Sequence, residues 1–438
     1  MGIDLFNRLN QYPFSKNLVK TDRSNNFNFF VELLKSSKHQ FRLNATYRRL
    51  EILRQDVTTQ KPDNSLLSRV EYIVNEWKGF LTGNVLYEIG AGQEQKRDYS
   101  YIEVPAGQGD YTWNDYNGDG IQQLNEFEIA IFPDQAKFIR IFTPTNEFIK
   151  ANYNTFNYSI GLNPRSIINV SNASSVQKFI ARINLQSSLQ INKKEQADGL
   201  VQFNPFGTPL SDTSLITLNQ TYVNTLSFNR FSSKWGFDIN NSRNAAKALL
   251  TYGYESRKIN EWSLRTRINI NKLVSFDITG KKGINALGTE NPKFDNRNYK
   301  IDQYSVEPRT IFTRGANFRL IIGYKFTNKE NQQGFNEKYS SNSINSEIKY
   351  NILQSTSIQA KFTYGNIQYQ TSDPANGLNS TVSYIMLDGL LPGKNFLWNL
   401  DFTRRLSNFL ELNLQYEGRK PGSASTVHIG RAAIRALL

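Results

Sequence analysis

Apolar and polar residues alternate one by one along much of this 438-residue chain. The clearest run begins at Leu410 and ends at Glu417. Its apolar positions are Leu410, Leu412, Leu414 and Tyr416, and its polar positions are Glu411, Asn413, Gln415 and Glu417. Because successive side chains of a β-strand point to opposite faces, the pattern predicts a strand that is apolar on one face and polar on the other.

The same alternation recurs from residue 27 to the end of the chain, whereas residues 1–25 look irregular. We predict strands at about 27–33, 41–47, 65–78, 79–95, 156–162, 176–193, 220–230, 233–241, 246–256, 260–271, 273–283, 298–313, 316–327, 340–353, 355–370, 395–405, 408–418 and 425–438. Long polar connections (284–297, 328–339 and 371–394) alternate with tight turns near residues 354 and 405. Short turns at one end and long loops at the other are typical of outer-membrane barrels.

The predicted fold class is therefore all-β: a transmembrane antiparallel β-barrel of about 18 strands with a calcium-loop insertion. No stretch approaches the roughly 18 consecutive apolar residues of a membrane helix. A chain that crosses lipid without helices needs a closed sheet, because lipid offers no partner to unpaired backbone groups. The alternative is a large soluble β-sandwich or solenoid in which one face of the sheet is exposed to solvent. The 13% aromatic content favours the barrel, since Trp235, Trp262 and Trp398 lie near predicted strand ends.

Lysine and arginine exceed aspartate and glutamate by 14, but no basic cluster suggests a nucleic-acid surface. If the apolar sets face lipid, the opposite face is mainly basic. Its predicted basic residues are Arg42, Arg182, Arg265, Arg267, Arg319, Lys325, Lys349, Lys361, Arg431 and Arg435. Its predicted acidic residues are Asp238, Asp277, Glu347, Asp401, Glu411 and Glu417. This excess is consistent with lipid headgroups or an anion-tolerant lumen.

The alternation of apolar and polar residues is interrupted at residues 96–148. We interpret this segment as an insertion between barrel strands at 1–95 and 149–438. Residues 115–126 read DYNGDGIQQLNE and fit the calcium-loop pattern D-x-[DN]-x-[DN]-G-x5-E. The pattern predicts one structural Ca²⁺. Its ligands would be Asp115, Asn117, Asp119, the Ile121 carbonyl and Glu126.

The surrounding sequence does not predict the helix–loop–helix unit that usually carries such a loop. Turn-rich aromatic sequence precedes it, Pro133 follows it, and Gln122 stands where an aliphatic residue is usual. An Asp/Asn/Gly-rich polar turn without an ion is therefore the alternative. Counting strands back from Leu438 puts the insertion on the periplasmic side.

Enzymatic chemistry has little support in the sequence, so we predict that the protein is not an enzyme. Cysteine is absent, which excludes disulfides, thiolate metal sites and cysteine nucleophiles. The two histidines, His39 and His428, are far apart, and nothing pairs either with a nucleophile. The start at Met1-Gly2 lacks an export signal, and we expect that the chain is part of a longer protein.

Several stretches resemble a family of largely uncharacterised Bacteroidota outer-membrane proteins. They are residues 99–109 (YSYIEVPAGQG), 115–128 (DYNGDGIQQLNEFE), 132–136 (FPDQA), 388–395 (DGLLPGKN), 416–420 (YEGRK) and 427–431 (VHIGR). The resemblance implies a C-terminal barrel portion of a larger protein in the outer membrane of a Gram-negative cell. It implies no known substrate, and Leu438 departs from the aromatic terminal residue usual in outer-membrane proteins.

Three functional hypotheses follow. The first is a non-enzymatic outer-membrane barrel that acts as a transport or secretion channel or as a component of an outer-membrane complex. The second is a surface or scaffold protein that uses the barrel only as a membrane anchor. A barrel hydrolase centred on His39 or His428 is the third and weakest. The expected partners are outer-membrane lipid and lipopolysaccharide and other outer-membrane or periplasmic proteins, with no nucleic acid.

Overall fold

A computed structural model of the chain describes residues 1–58, 60–197, 202–207, 209–250, 253–352, 355–372, 377–407, 409–436. The side chains of residues 93–97, 144–148, 249–250 and 293 lie outside this description. The described part divides into two compact units. Unit 1 comprises Met1–Ser100, Ile141–Leu226 and Asn241–Lys258, and unit 2 comprises Tyr101–Arg140, Ser227–Asn240 and Ile259–Leu438.

Strands make up most of the described chain, and they alternate with short connections. The strands of the first half are β1 (Gly2–Phe14), β2 (Asn17–Leu33), β3 (His39–Ile52), β4 (Asp63–Glu76), β5 (Leu81–Glu103), β6 (Tyr111–Trp113), β7 (Phe127–Ile129), β8 (Phe138–Leu162), β9 (Ile183–Gln196) and β10 (Leu215–Phe228). Those of the second half are β11 (Trp235–Leu250), β12 (Gly253–Asn269), β13 (Val274–Thr289), β14 (Tyr299–Arg314), β15 (Phe318–Asn331), β16 (Lys338–Ile352), β17 (Thr356–Gln370), β18 (Gly393–Ser407), β19 (Leu410–Lys420) and β20 (Val427–Ala436). The described residues also form two short α-helices, α1 (Ser175–Ile180) and α2 (Thr381–Met386), and five 3-10 helices, at Trp77–Gly79, Leu124–Glu126, Pro133–Gln135, Pro164–Ser166 and Pro292–Arg297.

The all-β class and the strand number are confirmed. Apart from β6 and β7, which have three residues each, the strands of the described residues number 18 and form a large antiparallel sheet. In unit 2, each strand from β13 to β20 pairs with the next along the chain. In unit 1, β1 to β5 follow the same order, and β8 pairs with β9.

None of the helices within the described ranges has the length and apolar character needed to cross a membrane.

The pairing register puts the predicted apolar sets of unit 2 on one face of the sheet. Leu414 lies opposite Phe402 on one side and Ala432 on the other, and Tyr416 lies opposite Leu400. Large apolar side chains on this face stay exposed, among them Ile322, Ile344, Ile348, Phe362, Leu400, Leu414, Tyr416 and Ile434. A soluble sheet would bury such a face against another layer.

The other face of unit 2 is polar and carries most of the predicted charges. Arg319, Lys325, Lys349, Lys361, Arg431 and Arg435 share it with Asp277, Glu347, Asp401, Glu411 and Glu417. In β12, Arg265 binds Asp277 at 2.7 Å, and Arg267 donates to the Ser232 carbonyl.

In unit 1, Arg42 binds Glu71 across the β3–β4 ladder at 3.5 Å. Asp238, which was predicted to lie on the polar face, is part of β11.

Three sequence predictions are wrong. Residues 1–25, predicted to be irregular, form β1 and the first part of β2, whose ladder runs from Gly2–Phe30 to Phe14–Asn17. The predicted strand at 176–193 begins only at Ile183, because residues 175–180 form α1, and Arg182 lies in the connection. The predicted short strands at 233–241, 246–256 and 260–271 are two long ones, β11 and β12.

Each unit has a small apolar core near a group of loops. In unit 1 it consists of Leu189, Ile191, Leu215 and Leu218. In unit 2, polar-face residues of β13, β14, β16 and β17 pack against α2. This core consists of Leu287, Tyr299, Ile301, Tyr339, Ile367, Val382, Met386 and Leu387.

Candidate functional site: the insertion on the polar face

The insertion occupies residues 104–137, because β5 continues to Glu103 and β8 starts at Phe138. Its short strands β6 and β7 pair, with Trp113 opposite Phe127. Phe127 is buried; its ring stacks on Tyr101 at 3.9 Å and meets Phe138 at 5.1 Å. Phe127 therefore packs the insertion onto aromatic residues at the end of β5 and the start of β8.

Close backbone approach requires a glycine at the base of the insertion. A Cβ added to Gly109 would lie 2.6 Å from the Phe138 nitrogen and 2.7 Å from its oxygen. Substitution here would force the backbone of β8 away from the insertion.

The predicted calcium loop is a compact turn built on its acidic side chains. The amides of Gly118 and Gly120 donate to the two carboxylate oxygens of Asp115, at 2.7 and 2.9 Å. The Ile121 amide donates to Asp119 at 2.7 Å. Gly118 and Gly120 both have positive φ, 73° and 72°, which glycine adopts without steric cost.

The predicted metal ligands are only partly brought together. The Glu126 carboxylate is buried and accepts from the Trp113 indole at 2.8 Å and from the Gln123 amide at 3.2 Å. One Asp119 oxygen accepts from Asn117 and Gln123. Among the described residues, no three acidic or histidine side chains are close enough together to hold a metal ion. The loop as described therefore fits Ca²⁺ only if Glu126 turns toward it.

A buried ion pair attaches the insertion to the β13–β14 connection. Arg297 donates to Glu128 at 3.3 Å, and both side chains are almost fully buried. Thr381, at the start of α2, donates to the same Glu128 oxygen at 2.9 Å. Burial, with the negative charge of Glu128, raises the pKa of the nearby Tyr116 hydroxyl well above its usual range. Tyr116 therefore stays neutral and serves as a hydrogen-bonding group.

A second ion pair attaches the insertion to the polar face of β19. Arg419 forms a bidentate ion pair with Asp134. Its guanidinium also lies over the Phe132 ring, 4.3 Å from the ring centroid. The side chains of Phe132, Pro133 and Asp134 line a cavity of about 230 Å³ with the polar-face residues of four strands. These are Lys361, Thr363, Leu397, Asn399, Glu417, Arg419, Val427 and Ile429.

Helix α2 completes the cover of the polar face at this end of unit 2. The Ser380 side chain caps it, in a capping box with Ser383. Lys329 holds its other end by donating to the Met386 carbonyl at 2.9 Å and to both Asp388 oxygens at 2.8 Å. The hydroxyl of Tyr384 accepts from the Ile131 amide of the insertion.

The residues that dock the insertion were not predicted from the sequence as a site. Glu128, Asp134, Arg297, Thr381 and Arg419 belong to no recognisable motif. A signal was nevertheless present, because residues 115–128, 132–136 and 416–420, which the sequence analysis singled out, contain Glu128, Asp134 and Arg419. These stretches meet in unit 2.

Both histidines have aromatic partners. The two ring nitrogens of His39 lie 2.7 Å from the Tyr72 hydroxyl and 2.9 Å from Glu76. His428 lies on the apolar face of β20, with its Nδ1 2.8 Å from the Tyr416 hydroxyl. These contacts fit structural roles better than general-base roles.

No protein-family model and no curated protein matches the sequence. Among solved structures, the chain is similar to the ferric-catecholate import receptor Fiu of E. coli K12 (9% identity, 94% of this chain and 68% of that chain, TM-score 0.39). It is also similar to the copper transporter OprC (7%, 96% and 64%, TM-score 0.41). The FrpB iron transporter of Neisseria meningitidis is a third (8%, 91% and 60%, TM-score 0.40). The chain thus spans about two thirds of the length of these proteins or less.

Proposed function

We propose that this chain is the membrane-embedded part of a non-enzymatic outer-membrane β-barrel that passes or exports material, with the insertion and α2 covering the polar face at one end. The observation that carries the proposal is the division of the unit 2 sheet into an exposed apolar face and a charged face. An apolar face of this size is stable against lipid and would aggregate in water.

The proposed location is the cell outer membrane, with the insertion on the outer side. In unit 2, only a few residues join β14 to β15, β16 to β17 and β18 to β19, and the opposite connections are longer. The insertion contacts these longer connections. Outer-membrane barrels have short periplasmic turns and longer extracellular loops. The end of β20 lies at the end of the sheet with the short connections, so the side that we propose for the insertion is opposite to the periplasmic side that the parity count favoured.

The alternative proposal is a surface or scaffold protein that uses the barrel as an anchor. Its support is the buried attachment of the insertion through Arg297 and Arg419. Electrical recording of the protein in planar bilayers separates the two proposals. Steady single-channel conductance supports passage, whereas a protein that assembles in the bilayer and conducts nothing supports the anchor.

If the protein conducts, we expect it to prefer chloride to potassium, because fixed positive charge attracts anions. Arg319 and Lys349 lie directly opposite each other on the polar face. Replacing both by glutamine should shift the reversal potential in a salt gradient toward cation preference. The control, Lys282→Gln, removes a charge from the apolar face and should leave the reversal potential unchanged. A cation preference in the unaltered protein would contradict the proposal.

We also propose that residues 115–126 take one structural Ca²⁺. The donor set is oxygen-only, and Asp115, Asn117 and Asp119 already lie in one tight turn. Binding to the folded form alone would stabilise the insertion by mass action.

Calcium removal by a chelator should make residues 107–123 sensitive to protease while the strands stay intact. Asp119→Ala should reproduce this effect. The matched control is Asp110→Ala, which removes an exposed carboxylate of the insertion outside the loop. If calorimetry detects no heat of calcium binding and the chelator leaves proteolysis unchanged, the loop is a polar turn.

The assignment to Bacteroidota and the existence of further periplasmic or outer-membrane partners remain part of this proposal. The sequence resemblance supports both.

A further inference from the structure

The connection between β8 and β9 in unit 1 has an unusual composition. Residues 163–182 contain Arg165, Lys178 and Arg182 but no aspartate or glutamate. The connection lies beside the turn between β4 and β5, since the Asn163 amide donates to the Phe80 carbonyl at 2.8 Å.

Helix α1, within this connection, presents its apolar face to solvent. Ser174 and Gln177 form a capping box at its start. Val176, Phe179 and Ile180 follow at the i, i+3, i+4 spacing of one helix face. Val176 is 68% exposed and Phe179 is 55% exposed. In a surface helix of a soluble protein, such an apolar face normally packs against the protein core.

Further exposed apolar side chains lie in the same connection and in the turn beside it. Ile167 and Val170 are exposed in the same connection, and Trp77 is 58% exposed in the adjoining turn, next to Lys78. The acidic residue of that turn, Glu76, is bound by Lys38 and His39. We call Trp77, Ile167, Val170, Val176, Phe179 and Ile180 the α1 surface.

Exposed apolar residues also lie on the strands that this connection joins. Ile160 of β8 and Leu185 of β9 are both exposed, close to the ends of the strands that the connection joins. Leu162 and Leu185 lie directly opposite each other in the ladder. The strands on either side of the connection therefore also expose apolar side chains.

We propose that the α1 surface lies in the interfacial layer of the bilayer, with anionic phospholipid headgroups against Arg165, Lys178 and Arg182. Apolar side chains flanked by basic ones, with a tryptophan alongside, are the composition that binds this layer. Because the connection has basic residues and no acidic one, none of its side chains repels the anionic phosphate groups. The inference rests on the proposed outer-membrane function.

Spin labelling tests this proposal directly, because the chain has no cysteine and a single introduced one is unique. The protein is reconstituted in vesicles of phosphatidylethanolamine and phosphatidylglycerol with a nitroxide at Val176→Cys. Asn172→Cys, a polar exposed site in the same connection, is the matched control. Ile344→Cys reports the apolar face of unit 2. Collisions with oxygen, which concentrates in lipid, are compared with collisions with a water-soluble nickel chelate.

We expect the label at 176 to favour oxygen, at a shallower depth than the label at 344, and the label at 172 to favour nickel. The label at 176 should also lie less deep in phosphatidylcholine vesicles, which lack anionic headgroups. If 176 behaves like 172 while 344 reports lipid, the α1 surface faces water, and the proposal is wrong although the proposed function stands. If 344 also reports water, the proposed function itself fails. Dipolar broadening between labels at 176 would indicate a second copy and would equally overturn the proposal.

Discussion

Leu414→Arg is expected to prevent or strongly weaken assembly into lipid vesicles. Leu414 is 40% exposed, and it lies in the middle of β19 on the apolar face, between Phe402 and Ala432. An arginine on the lipid side of a barrel near the bilayer midplane costs about 2–4 kcal/mol. That is a large part of the marginal stability of most folded proteins. The heat-dependent shift of folded barrels on electrophoresis measures the assembled fraction.

The neighbouring residue provides the matched control. Gln415 lies on the polar face, between Asp401 and Arg431. An arginine there can approach Asp401 and remains on the polar side, so Gln415→Arg should assemble as the unaltered protein does. Equal tolerance of both substitutions would contradict the assignment of the apolar face to lipid.

Arg297→Met is expected to release the insertion from the loops that hold it. The substitution leaves the Glu128 carboxylate buried, 1% exposed, with its cationic partner removed. Breaking a buried ion pair by removing one partner typically costs about 3–5 kcal/mol. Limited proteolysis should then cut within residues 104–137, while the strands of unit 2 stay protected. If the protein conducts, its conductance should rise as well.

Two further variants separate undocking from general destabilisation. Lys300→Met removes an exposed charge from the start of β14, three residues from Arg297, and should change neither readout. Combining Arg297→Met with Glu128→Met should restore much of the protection, because an apolar replacement of both partners leaves no buried charge. Unchanged proteolysis in Arg297→Met alone would show that this pair does not hold the insertion.

Local pattern was sufficient to predict most strands and their two faces. The period of two is a property of the extended backbone, so residues 410–417 indicate which side chains share a face without knowledge of any partner strand. The register then confirms the prediction, with Leu414, Phe402 and Ala432 on one face. Predictions were wrong where pairing overrides pattern. Residues 2–14 form β1 through their ladder with β2, although their sequence alternates poorly.

Helix α1 was missed although its signal is local. Apolar residues at 179, 181, 183 and 185 suggested alternation, and Val176, Phe179 and Ile180 also fit a helical face. The capping box of Ser174 and Gln177 decides between these interpretations, because it satisfies backbone amides that a strand start would not expose.

The sequence alone determined the strand faces and the acidic turn at residues 115–126, since each depends on residues a few places apart. Only the tertiary structure decided where the insertion docks. Arg419 and Asp134 are 285 residues apart, and Arg297 and Glu128 are 169 apart. The sequence around a charged residue does not indicate which distant residue will be its ion-pair partner, because the pairing depends on the fold that brings the strands and connections together. The same holds for Glu126, whose carboxylate is turned toward Trp113 by the packing of the insertion.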